Sequence, residues 1–217
     1  MSIVSRYFGQ QFSRGGPLAP LSKKRIYCPI SHPAICRRGQ GVFKLFGPSQ
    51  NYKRFARLIA TTPPAAKASI KGDKKHPGLH GAVYFYPEFD GTLVVAELYG
   101  LPYDKKQPRD GRGPNPGGFL GFHIHEGGAC TGNDKDPFAD AGMHLNPQDR
   151  PHPLHMGDMP PLLSNEGYAY LAFFTDRFTV PDIIGKTVII HSHSDDFESQ
   201  PSGDAGTKIA CGIIRKN

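Results

Sequence analysis

From residue 65 onward, the apolar residues of this chain come in runs so short that strands are the only elements they can build. Residues 65–72, 81–86, 92–98, 119–125, 168–174, 187–191 and 208–214 each read as a strand of eight residues or fewer, rich in β-branched or aromatic side chains. The second and third runs flank Glu88-Phe89-Asp90-Gly91, a hairpin signal. No amphipathic helix of useful length interrupts the series. Several short strands joined by Gly/Pro turns argue for an all-β sandwich or flattened barrel. Two connections, 127–167 and 192–207, are long for such a domain, and long ordered loops are commonly held by metal ligands or a disulfide.

The upstream sequence is of another kind. The chain has a formal net charge of +7 from 26 Lys/Arg against 19 Asp/Glu. Thirteen of those bases and none of the acids lie in residues 1–72, so residues 73–217 carry thirteen bases against nineteen acids, a net of −6. We therefore divide the chain into a basic, acid-free leader at 1–62, expected to lie outside the folded core, and a mildly acidic domain at 63–217. The leader reads as transit-like or as an over-extended start. A secretory signal fits badly, because no apolar stretch of about 7–15 residues follows the first Arg. No Met lies between Met1 and Met143, so a shorter product would begin at a non-Met codon. Cys28 and Cys36 fall in the leader at a spacing that suits no zinc knuckle, and they are assigned no role. No apolar run approaches the roughly 18–20 residues needed to cross a bilayer.

Six of the ten histidines lie between residues 123 and 191. His123 and His125 form an i, i+2 pair on a predicted strand, which puts both imidazoles on one face; alone, such a pair is a weak metal signal and reads more readily as two solvated histidines. His191 ends another strand and can complete a three-imidazole site. In the long loop, His144, His152, His155 and Asp158 follow an H-x₇-H-x₂-H-x₂-D pattern. Three imidazoles and a carboxylate make a closed tetrahedral zinc set, and imidazole suits copper as well. Prolines at 147, 151 and 153 limit the entropy lost when that loop is ordered. Cys130 lies in a loop and Cys211 in a strand; the pair is either free and buried or closes one long loop.

Together the segments Gly121-Phe122-His123-Ile124-His125-Glu126, His144-Leu145-Asn146-Pro147, His155-Met156-Gly157-Asp158 and Gly203 through Gly212 resemble copper/zinc superoxide dismutases, in the family's order and from about residue 65 to the end. The loop style, with Cys130-Thr131-Gly132-Asn133, is similar to bacterial members. The resemblance implies a Greek-key β-sandwich, a flattened eight-stranded barrel with a zinc and disulfide loop and an electrostatic loop. It implies that His123, His125, His144 and His191 bind copper, that His144, His152, His155 and Asp158 bind zinc, and that His144 bridges the two. It further implies a Cys130–Cys211 disulfide, and an Asp195 carboxylate linking a copper-ligand His to a zinc-ligand His. His193 matches no family position and reads as solvated. Where the family carries a guiding Arg, this chain has Lys208, which keeps the charge but loses the planar fork, so a reduced rather than abolished rate is expected. The electrostatic loop is shorter than in eukaryotic members.

The activity so implied is disproportionation of superoxide to O₂ and H₂O₂ with copper and zinc as cofactors. The rival from another class is a non-enzymatic relative that buffers or delivers copper and zinc, which loss of a copper histidine would have favoured. A zinc hydrolase would need an open metal position, against the closed His₃Asp set. No nucleic-acid partner is expected, because the folded part shows no basic groove in its sequence. The family pairs through different faces in different lineages, so a homodimer is compatible with the sequence without being specified by it. The compartment is left open between a cytoplasmic location, which is favoured, and organelle targeting through the basic leader.

Overall fold

The computed structural model describes residues 48–217 apart from Asp90 and residues 104–117. Cys28, Cys36 and most of the basic leader lie outside the described residues. The expected strands form within a residue or two of their sequence bounds. β1 (Ala66–Gly72), β2 (His80–Glu88) and β3 (Gly91–Tyr99) make a meander whose second turn closes with Glu88 opposite Gly91, as the hairpin signal required. The run at 119–125 breaks at Gly121 into β4 (Phe119–Leu120) and β5 (Phe122–His125). A short strand not read from the sequence, β6 (Leu162–Leu163), pairs with β4. β7 (Tyr168–Thr175) then pairs with β3, and a single helical turn, α2 (Val180–Ile183), leads to β8 (Thr187–His191) and β9 (Lys208–Lys216).

Seven strands form one antiparallel sheet in the order β5-β8-β9-β1-β2-β3-β7, faced by the β4–β6 ladder. Counting β4 and β5 as one interrupted strand, the described residues hold eight strands, and the fold is the expected all-β sandwich. Period-2 alternation turns Ala66, Ala68 and Ile70 inward from β1, where they meet Val83, Phe85, Val94 and Leu98 in the main core. Leu120 and Leu162 close that core from the small ladder, both fully buried.

The same alternation has an outward consequence that corrects one expectation. Lys67 and Lys71 point out from β1, Lys67 lies opposite Arg215 of β9, and with Lys216 they line a groove beside Cys130 and Cys211. The folded part thus does carry a basic groove. It escaped the sequence reading because its cations come from strands about 145 residues apart and meet only through the β1–β9 register.

Residues 48–61 also depart from expectation. They form a helix, α1 (Pro48–Thr61), at the end of the segment read as lying outside the core. Phe55, Leu58 and Ile59, spaced i, i+3, i+4, lie on one helical face and pack against Tyr86, Leu93 and Val95, which β2 and β3 turn away from the main core. Arg54 pairs with the buried Glu88 and stacks over the Phe89 ring at 4.0 Å. The stripe is too short to stand out as a helix in sequence. Its stability comes from docking on the sheet rather than from propensity.

Candidate metal centre

β5 is the spine of the site. Its register with β8 sets His123 opposite Ile189 and His125 opposite Thr187, so His191 at the end of β8 falls beside them. On its other side β5 is flanked by the long loop: the Leu145 N–H donates to Ile124 O at 2.8 Å, and the Ile124 N–H to Gly157 O at 2.9 Å. These bonds bring His144 and Asp158 against the histidine pair. Gly157 permits the approach, because a Cβ there would stand 2.1 Å from Ile124 O. The result is two buried groups that share one residue: His123, His125, His144 and His191; and His144, His152, His155 and Asp158.

The hydrogen bonds assign the ring protons. His125 Nδ1–H donates to Gly142 O (2.9 Å) and His191 Nδ1–H to Gly206 O (3.3 Å). Their Nε2 atoms, left as lone pairs, face each other at 3.3 Å. Burial first, then the neighbouring imidazoles, holds both rings well below the ordinary histidine pKa, so neither is charged near neutrality. Two facing lone pairs repel unless a cation lies between them. His123 points the same way: its Nε2–H donates to Asp195 Oδ2 at 2.7 Å, and its buried Nδ1 has no hydrogen-bond partner. Burial lowers its pKa to about 4. His144 offers a fourth nitrogen, a buried Nε2 likewise without partner.

In the second group the donor atoms are spaced as a small tetrahedral ion requires. Zinc–ligand bonds of about 2.0–2.1 Å place tetrahedral ligands roughly 3.3 Å apart. Asp158 Oδ1 lies 2.8 Å from His144 Nδ1 and 3.3 Å from His155 Nδ1, and the two imidazole nitrogens are 3.4 Å apart. His152 Nδ1 is 3.1 Å from Asp158 Oδ2 but outside hydrogen-bonding geometry, and it has no hydrogen-bond partner. Burial opposes ionisation of Asp158, yet the hydrogen bond from His144 and the surrounding imidazoles outweigh it and lower its pKa. Both donor sets therefore fit metal ions, four nitrogens in one and three nitrogens with a carboxylate in the other.

Asp195 ties the groups together. Its Oδ1 accepts from His152 Nε2–H at 2.9 Å while Oδ2 serves His123. Although burial raises its pKa, the bonds from His123, the Phe197 N–H and His152 bring it down to about 2. Gly203, in the left-handed region at φ 64°, makes room: a Cβ would stand 2.1 Å from Asp195 Oδ1. Cys130 and Cys211 form a disulfide with a Cα–Cα distance of 5.6 Å, anchoring the long loop to β9. Lys208 lies opposite His191 across the β8–β9 bulge, with its Nζ 2.5 Å from Asp136 Oδ2. His193 is exposed, in keeping with its solvated reading.

The sequence model of copper/zinc superoxide dismutase matches residues 80–214. This chain belongs to the copper/zinc superoxide dismutase family. It is 35% identical over 141 residues to Cu-Zn superoxide dismutase 2 of Aquifex aeolicus, covering 58% of this chain and 72% of that protein. Over 153 residues it is 31% identical to the Cu-Zn superoxide dismutase of Deinococcus radiodurans, covering 62% and 76%. Over 150 residues it is 32% identical to Cu-Zn superoxide dismutase A of Xenopus laevis, covering 62% and 87%.

Several supporting groups in this family member were not read from its sequence. Arg177 Nη1 donates to the carbonyls of Pro153, His155 and Asp158 at 2.9, 3.1 and 3.3 Å, pinning the stretch of the long loop that carries His152, His155 and Asp158. Gln200 brackets His152, accepting from its N–H at 2.9 Å and donating to its carbonyl at 2.8 Å. Asp136 pairs with Lys208. Each acts across 19 to 72 residues of chain, and no local spacing marks it.

Proposed function

We propose that this chain is a superoxide dismutase that converts two superoxide anions and two protons into one O₂ and one H₂O₂. In this reading His123, His125, His144 and His191 hold copper, and His144, His152, His155 and Asp158 hold zinc. Copper supplies one-electron redox chemistry, and zinc, which has none, fixes the loop and the shared imidazole. The observation that carries the proposal is the pair of unprotonated Nε2 atoms of His125 and His191 facing at 3.3 Å beside the unpartnered nitrogens of His123 and His144.

The chain's own residues have separate duties. Asp195 and the carbonyls of Gly142 and Gly206 hold the ring protons away from the centre, leaving lone pairs directed inward. His144 Nε2, buried and without partner, has one lone pair, which would serve either copper or a proton destined for the peroxide product, never both at once. Lys208 supplies positive charge beside His191 and draws the anionic substrate inward. The test is His191→Ala in the full chain, followed by metal analysis and superoxide-decay assays. Copper binding and turnover should both be lost while zinc stays bound. Retained turnover would overturn the assignment.

A further inference from the structure

Lys208 is not a free cation. Its Nζ lies 2.5 Å from Asp136 Oδ2, with the lysine side chain only 16% exposed and the aspartate 40% exposed. The carboxylate is itself held. Its Oδ1 accepts from the Phe138 N–H at 3.1 Å, its N–H donates to Asn133 Oδ1 at 3.1 Å, and its carbonyl accepts from the Asn133 N–H at 2.9 Å. Phe138 packs with Cys130 against Ile189 and Cys211, and Cys211 is three residues along β9 from Lys208. Both partners thus sit on segments joined by the disulfide, and the pair belongs to the fold rather than to chance surface contact.

We propose that Asp136 is a positioning residue that holds the Lys208 ammonium at the rim of the site, so that an incoming small anion competes with the Asp136 carboxylate for the guiding charge. An ammonium paired at 2.5 Å presents a dipole to distant anions, and its attraction falls off faster than that of a lone unit charge. It also has fewer orientations in which its N–H bonds can turn toward substrate. A flexible lysine needs such a tether more than a planar guanidinium does, because its four-carbon stem samples many rotamers. Asp136 therefore sets how much of the charge of Lys208 is available, and where.

Lys208 enters here as the guiding cation of the proposed function, so the experiment separates the two claims. Asp136→Asn is nearly isosteric and keeps an oxygen for the Phe138 N–H. In the metal-free protein it should speed acylation of the Lys208 amine by a limiting amine-reactive ester, read by peptide mass mapping. In the copper- and zinc-loaded protein it should raise kcat/KM for superoxide about two- to fivefold at low ionic strength and tighten azide binding, both gains fading at high salt. With Lys208→Gln in the background, most of the Asp136→Asn gain should vanish. Equal gains in both backgrounds would overturn the proposal, since Asp136 would then act as a remote charge. Unchanged Lys208 reactivity in Asp136→Asn would overturn it too. If Lys208→Gln alone leaves kcat/KM unchanged, the guiding role of Lys208 fails, whatever Asp136 does to the reactivity of the amine.

Discussion

Replacing Asp195 with Asn should weaken copper binding and largely spare zinc. Oδ1 of Asp195 accepts from two donors, the Phe197 N–H at 2.7 Å and His152 Nε2–H at 2.9 Å, whereas Oδ2 accepts from His123 alone. An amide settles with its oxygen where two donors converge, so the new NH₂ faces His123 Nε2. That nitrogen must give up its proton, which moves to Nδ1, the atom directed at the copper position. Asp195 is only 3% exposed, so water does not take over the lost acceptor. Loss of a buried charge-assisted bond costs about 1.5–3 kcal/mol, or roughly 10- to 100-fold in copper affinity. Zinc, which in the proposed assignment is held in part by His152, should lose less than about threefold, because that ring keeps its acceptor. Chelator-competition titrations with each metal at neutral pH would measure both constants, with circular dichroism to verify the fold. Equal losses for the two metals, or a loss confined to zinc, would refute the tautomer argument.

The Cys130–Cys211 disulfide closes a loop with a sequence separation of 81. Chain-entropy reasoning then gives about 4.5 kcal/mol of stabilisation, to be compared with urea unfolding of the metal-free Cys130→Ala, Cys211→Ala double variant. Acid should destabilise the metal-free protein. His123 is neutral when folded, with a pKa near 4, while the unfolded chain protonates it below 6.5. Stability is therefore present above pH 6.5 and falls as pH drops toward 4, with about 2 kcal/mol lost from this residue by pH 5; a flat stability curve between pH 7 and 5 would contradict the assignment. Phe55→Ala and Leu58→Ala should each cost about 1 kcal/mol of unfolding free energy, as expected for half-buried side chains. Neither should alter metal affinity, and no loss in either variant would mean that α1 does not stabilise the sheet.

The metal groups were legible because their chemistry is local. His123 and His125 share a face through strand period alone, and H-x₇-H-x₂-H-x₂-D puts all four members of a tetrahedral set on one loop. The strands were legible for the same reason, since alternation and turn residues act over a few positions. Helix α1 was not, because its three-residue stripe acquires meaning only against Tyr86, Leu93 and Val95 on the outer face of the sheet. The basic groove likewise awaited the pairing of Lys67 with Arg215.

The sequence by itself determined which atoms are available to bind metal and which segments deliver them. The tertiary structure alone decided which nitrogen of each ring is bare, since that depends on Asp195, Gly142 O and Gly206 O, residues remote in the chain from the imidazoles they orient. It also decided that Lys208 shares its charge with Asp136. Residue type and spacing select a ligand, whereas protonation and field depend on neighbours that only folding brings within about 3 Å, where hydrogen bonds form.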